Sequence, residues 1–176
     1  EPVLVTREGS NPQFGADSKR VYLTTSAPDK DGDKRQLFSL ELDGSDRRAH
    51  LVSTLATEFA VSRDERWVAF VERFNAHLIP FVPTGREVSI ERKTKALPVA
   101  QVSRDAGENL QFAGDSRGLH WSLGPELFTV PLTDAFAYLA GSPPELPKPP
   151  EAGRNFSLRA PQAKPVGTVA LVGGKI

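Results

Sequence analysis

Three aspartates set the register of this chain. Asp17, Asp64 and Asp115 stand 47 and 51 residues apart, and the residues around them match position by position. Three residues before them are Phe14, Val61 and Phe112, and two after them are Lys19, Arg66 and Arg117. Four and six after them come Val21 with Leu23, Val68 with Phe70, and Leu119 with Trp121. A shared element lies upstream, as Leu4-Val5-Thr6, Leu51-Val52-Ser53 and Val102-Ser103. Downstream lie Leu37-Phe38-Ser39-Leu40-Glu41-Leu42-Asp43-Gly44, a looser Leu78-Ile79-Pro80-Phe81-Val82-Pro83-Thr84-Gly85, and Leu127-Phe128-Thr129-Val130-Pro131-Leu132. A repeat of this kind constrains a fold more than composition does, because each unit has to bury its apolar face against a neighbour.

Apolar residues at every second position predict short strands, and the turn-rich connections join them antiparallel. The Asp-Ser-Lys, Asp-Glu-Arg and Asp-Ser-Arg triplets predict hairpin turns. In each, the aspartate accepts a hydrogen bond from its own turn's backbone and the basic residue stays in solvent. Pro80 and Pro83 cannot donate to a ladder, so they demote the middle unit's outer stretch to an edge or a bulge. A unit of about 45 residues with four short strands is the signature of a β-propeller blade. The expected fold class is all-β: four-stranded antiparallel blades, about three in a partial ring, with a Pro-rich C-terminal extension.

The segments Asn11-Pro12-Gln13-Phe14-Gly15-Ala16-Asp17-Ser18-Lys19-Arg20-Val21-Tyr22-Leu23, Val61–Phe70 and Asn109–Trp121 resemble the WD40-like repeat of TolB-type propellers. Ser18, Glu65 and Ser116 depart from it, standing where that repeat usually carries glycine. Five prolines then crowd residues 141–150, favouring extended chain that serves as a spacer or a belt. The tail Val166-Gly167-Thr168-Val169-Ala170-Leu171-Val172-Gly173-Gly174-Lys175-Ile176 alternates again and resembles the opening strands of amidohydrolase-family enzymes. The expected organisation is propeller blades over 1–140, a Pro-rich linker over 141–165 and the start of an amidohydrolase-like domain over 166–176. The resemblance implies a non-catalytic segment of a larger metal-dependent hydrolase acting on carbon–nitrogen bonds, with zinc or a similar ion held only in that catalytic domain. It also favours a periplasmic or secreted location. The alternative is a free-standing interaction module for a protein or peptide.

Charge narrows the partners. Lys plus Arg number 22, Asp plus Glu number 22, and the pI is about 7.1, so there is no basic excess to attract nucleic acid or an anionic membrane. Without cysteine there is no disulfide framework and no thiolate chemistry. The chain has no Met and begins Glu1-Pro2, which suggests an excised or processed piece.

No catalytic, cofactor-binding or metal-ligating residue is assigned from the sequence. His50, His77 and His120 are far apart in the chain, whereas an amidohydrolase centre needs a His-x-His pair. His120 alternates with Leu119 and Trp121 and so points to the opposite sheet face. Asp29-Lys30-Asp31-Gly32-Asp33 begins like a calcium loop, but Lys34 and Leu40 stand where the glycine and the bidentate acid belong, which leaves a hairpin loop. No Gly-x-Ser-x-Gly elbow presents a serine nucleophile. The aromatic residues read as packing, with Phe14 and Phe112 at equivalent core positions. About three units cannot close a ring, so Val21, Leu23, Val68, Phe70, Leu119 and Trp121 are not all expected to be covered within the chain. Another chain, a second copy or a companion fragment, is expected to complete the propeller, with Val3-Leu4-Val5 available to supply a strand.

Overall fold

The structure, a computed structural model, describes residues 4–29 and 32–162, and residues 164, 166, 167, 170, 172 and 173 beyond them. Within these the chain runs β1 (Ser10–Phe14), β2 (Arg20–Asp29), β3 (Gly32–Glu41), β4 (Arg48–Ser53), β5 (Ala56–Val61), β6 (Trp67–Glu72), β7 (Asn75–Pro80), β8 (Val88–Ser89), β9 (Ala100–Gln101), β10 (Glu108–Phe112), β11 (Gly118–Leu123), β12 (Glu126–Pro131) and β13 (Arg154–Asn155). A 3-10 turn covers Leu132–Asp134. The fold is all-β, with sheets ordered β1-β2-β3-β4-β8, β5-β6-β7-β9 and β10-β11-β12-β13. Every pairing is antiparallel except β8, which lies parallel to β4.

The three aspartates build three copies of one turn. Asp17, Asp64 and Asp115 each accept, through Oδ1, the backbone N–H two residues on, at 2.9, 3.2 and 3.0 Å. Around them Gly15, Ser62 and Ala113 donate to the carbonyls of Arg20, Trp67 and Gly118, and Ser18, Glu65 and Ser116 donate back to Gly15, Ser62 and Ala113. The departures from glycine in the repeat acquire a reason here. Ser18, Glu65 and Ser116 have φ of 57°, 54° and 58°, a region that favours glycine. At two of them the side chain reaches the preceding turn: Glu65 Oε1 accepts the Ala16 N–H at 2.9 Å, and Ser116 Oγ accepts the Asp64 N–H at 3.0 Å. Gly15 makes room for this, since a Cβ there would lie 2.2 Å from Glu65 Oε1.

Alternation along the strands then sorts the core. Val68, Phe70 and Ile79 of the central sheet pack with Tyr22, Leu37 and Leu51 of the first. Trp67, Ala69, Val71 and Leu78, on the opposite face, pack with Leu110, Leu119, Trp121 and Phe128 of the third. Val21, Leu23, Phe38 and Leu40 make a smaller cluster on the first sheet's outward face, joined by Val5. Gly9 (φ 90°) lies so close to that face that a Cβ would meet Leu23 at 2.9 Å and Phe38 at 3.1 Å. Arg47 covers Phe38 from 4.3 Å.

Several expectations are corrected. Val21, Leu23, Val68, Phe70, Leu119 and Trp121 are all 7% exposed or less, because residues near the N-terminus shield the first sheet while the other two sheets have neighbours. Phe14, by contrast, is 62% exposed. It pairs with Val21 and shares its outward face, and among the described residues no preceding sheet covers that face at its position. In the middle unit β9 pairs β7 at His77 and Leu78 only; Pro80, the last residue of β7, lies beyond that pairing, and Pro83 lies in no strand. Leu4, Val5 and Thr6 form no strand, and Val3 lies outside the described residues.

The upstream element of the second and third sequence units belongs to the preceding sheet. Leu51–Ser53 closes β4, and Val102-Ser103 follows β9 directly. The third sheet draws its fourth strand from further on: the chain beyond residue 150 returns as β13, and the Gly153 N–H donates to Glu126 Oε2 at 3.0 Å. Asp29 and Gly32 face each other at the β2–β3 hairpin tip, with residues 30 and 31 of the calcium-like sequence outside the described residues. Of the tail over 166–176, the described residues lie in no strand.

Candidate functional site

The first strand of each sheet sits at its edge, and β1, β5 and β10 together line a cleft of about 870 Å³. All three strands slip register within that stretch, between Ser10 and Gln13, between Ala56 and Glu58, and between Glu108 and Gln111. Such bulges re-aim side chains and end regular pairing. Asn11 (φ 51°) and Asn109 (φ 57°) hold the left-handed conformation at matched positions, which asparagine tolerates better than most residues.

Side chains seal the seams between these strands where backbone ladders are absent. The Gln13 amide donates to the Phe59 carbonyl at 3.1 Å and accepts the Val61 N–H at 2.7 Å. Glu58 accepts the N–H groups of Leu110 and Asn109 at 2.8 and 3.1 Å. Burial raises the Glu58 pKa, and these two amides pull it the other way. The other charged group of the lining, Arg63, is exposed and has no ion-pair partner among the described residues. Sequence reading missed Gln13, Glu58 and Arg63. The available signal was the polar set Asn11, Glu58 and Asn109, recurring six residues before each aspartate.

A second cluster resembles a nucleophile–base pair. Ser39 Oγ lies 2.8 Å from His50 Nε2 and accepts from Arg20 Nε and an Arg20 terminal nitrogen, each at 3.1 Å. Arg20 is itself held by Asp46 at 2.7 Å. Burial, reinforced by Arg20 and Arg48, pushes the His50 pKa down to about 4, so its ring is neutral. Ser39 is 0% exposed and its lone pairs face the guanidinium, so no electrophile can reach the oxygen. The cluster ties β2, β3 and β4 together.

The other histidines stand apart from both clusters. His77 is 2% exposed, stacks on Phe70, and has neither ring nitrogen hydrogen-bonded. Burial pushes its pKa down to about 4; the nearby Glu72 carbonyl opposes this without hydrogen-bonding geometry, and Arg92 reinforces it. His120 points away from Leu119 and Trp121, as alternation predicts, and its Nδ1 meets Thr129 Oγ1 at 2.8 Å. Among the described residues no three His, Asp or Glu side chains stand close enough to hold a metal ion, so no zinc chemistry is derived for them. No family model matches the chain, and no curated protein matches it by sequence.

Proposed function

We propose that the three sheets are successive blades of a TolB-like propeller, and that the segment is a non-catalytic scaffold or substrate-access module of a larger amidohydrolase-like hydrolase. The observation that carries this is the threefold recurrence of one hydrogen-bonded turn, with the side chain after the second and third aspartates reaching the turn before it. That contact fixes neighbouring sheets at a constant offset, as a blade array requires. Zinc belongs, on this reading, to the parent's catalytic domain. Reading the source gene beyond Ile176 for a His-x-His motif within a few dozen codons tests it, and a gene with no downstream barrel overturns it. The purified segment should turn over no amide, ester or deaminase substrate, with or without added zinc. Turnover that survives gel filtration and is lost on replacing one histidine by Ala would reveal a missed site.

The cleft between β1, β5 and β10 favours a second reading, an interaction module for a protein or peptide. In either reading a second copy or a companion fragment completes the ring. Sedimentation equilibrium at micromolar concentration decides that part: a well-folded monomer of 19.2 kDa with no dye-binding apolar surface refutes it.

A further inference from the structure

We infer that the cleft takes an extended peptide through an acidic side chain anchored on Arg63. The inference rests on the interaction-module reading and adds the ligand's chemistry. Charge selects the anchor. The lining has one carboxylate, Glu58, already satisfied by two backbone N–H groups, and one guanidinium, Arg63, which is exposed and unpaired among the described residues. Arg63 is therefore the charged side chain of the lining left open to a ligand, and a guanidinium's planar fork matches a carboxylate.

Shape selects an extended chain. The lining follows three edge strands, and the cleft's roughly 870 Å³ lies within the 300–1,000 Å³ range of ligand sites, enough for a few residues in extended form. Gln13 and Glu58 occupy the seams from β1 to β5 and from β5 to β10, so a guest lies above them rather than prying them apart. At the lip, Phe14 is 62% exposed, a large apolar surface for a side chain next to the acid. Exposed Asn11 and Gln111 also belong to the lining, where their amides serve a peptide's backbone as donors and acceptors.

The test uses the whole chain and two fluorescein-labelled hexapeptide pools that vary at four positions and carry Asp-Leu or Asn-Leu at the centre. Fluorescence polarisation should show the Asp pool binding roughly three- to tenfold tighter, the range of a partly solvated charge-assisted contact. Arg63→Gln should erase that preference and leave the Asn pool unchanged, and Arg63→Lys should restore part of it. Thr57→Trp, which fills the cleft, should abolish binding of both pools. If both pools bind equally and Arg63→Gln changes neither, while Thr57→Trp still blocks them, the acidic anchor is wrong and the interaction-module reading survives. If neither pool binds, or Thr57→Trp has no effect, both fall. Unchanged circular dichroism and thermal midpoint in each variant separate loss of binding from loss of fold.

Discussion

The central and third sheets share a register but not a face. At matched positions the central sheet turns Trp67, Ala69, Val71, Ala76 and Leu78 toward the third, and the third turns Gly118, His120, Ser122, Leu127 and Thr129 outward. The second set is largely polar; His120 bonds Thr129 within it, and Ser122 accepts from Asn109 of β10. The same backbone supports both because a strand's hydrogen bonds do not depend on the side chains of one face. The difference shows that, among the described residues, apolar character follows the presence of a neighbouring sheet. The first sheet's outward face takes another route, keeping Val21, Leu23, Phe38 and Leu40 apolar under Val5, Gly9 and Arg47.

Exchanging residues between the matched faces breaks the comparison most sharply. Leu78 is 0% exposed, and Leu78→Thr gives the central sheet what the third carries at Thr129. It should cost about 4 kcal/mol, combining a cavity with a buried hydroxyl. Thr129→Leu should change the monomer's stability by no more than about 0.5 kcal/mol, while increasing self-association by adding to an exposed apolar patch. Urea denaturation and sedimentation read the two arms. Equal costs at both sites would mean that the third sheet's outer face is covered after all.

Acid tests the interface between the first and central sheets rather than the outer face. His77 has its pKa pushed from 6.5 down to about 4, chiefly by burial, so the unfolded chain holds the proton more tightly than the folded one. The neutral ring's stability is therefore whole above about pH 6.5 and is lost as the pH falls toward about 4. The loss should reach about 3 kcal/mol, seen as a falling urea midpoint. His77→Phe should flatten that slope without removing it, since His50 shifts in the same direction for the same leading reason. A midpoint independent of pH across this window in the unmodified chain would show that the His77 ring is solvated.

The repeat made the strands and turns legible because both depend on local chemistry: alternation sets the faces, and an aspartate two residues before an amide sets the turn. Long-range facts were less visible. Nothing near Phe14 reveals that its face lacks a neighbouring sheet among the described residues, and nothing near Val21 and Leu23 reveals that Val5 and Gly9 shield their face. Whether β7 has an outer neighbour depends on β9, some twenty residues further along, which pairs with His77 and Leu78 and stops short of Pro80. The Ser39–His50 pair joins residues on neighbouring strands, a contact fixed by a bulge between Leu37 and Phe38 that no motif announces. The cleft is legible only as recurrent polar residues at one offset, and its open cation, Arg63, looks like any surface arginine until the strands around it are placed.

The smallest expected effect compares two serines that share a backbone conformation and differ in what they reach. Ser18 and Ser116 have φ of 57° and 58°, so replacing either with glycine relieves a similar left-handed penalty, set against glycine's greater loss of freedom on folding. Ser116 is 5% exposed and its Oγ accepts the Asp64 N–H at 3.0 Å, linking the third turn to the second. Glycine there removes an acceptor from that amide, at about 1 kcal/mol. Ser18 is exposed and has no preceding turn to reach among the described residues. Ser18→Gly should therefore raise stability by a few tenths to about 1 kcal/mol, while Ser116→Gly leaves it unchanged or lowers it by about as much. The quantity to measure is the difference between the two variants in one urea series, in which the shared backbone term cancels. If Ser18→Gly is as damaging as Ser116→Gly, then the Ser18 hydroxyl also holds a hydrogen-bond partner.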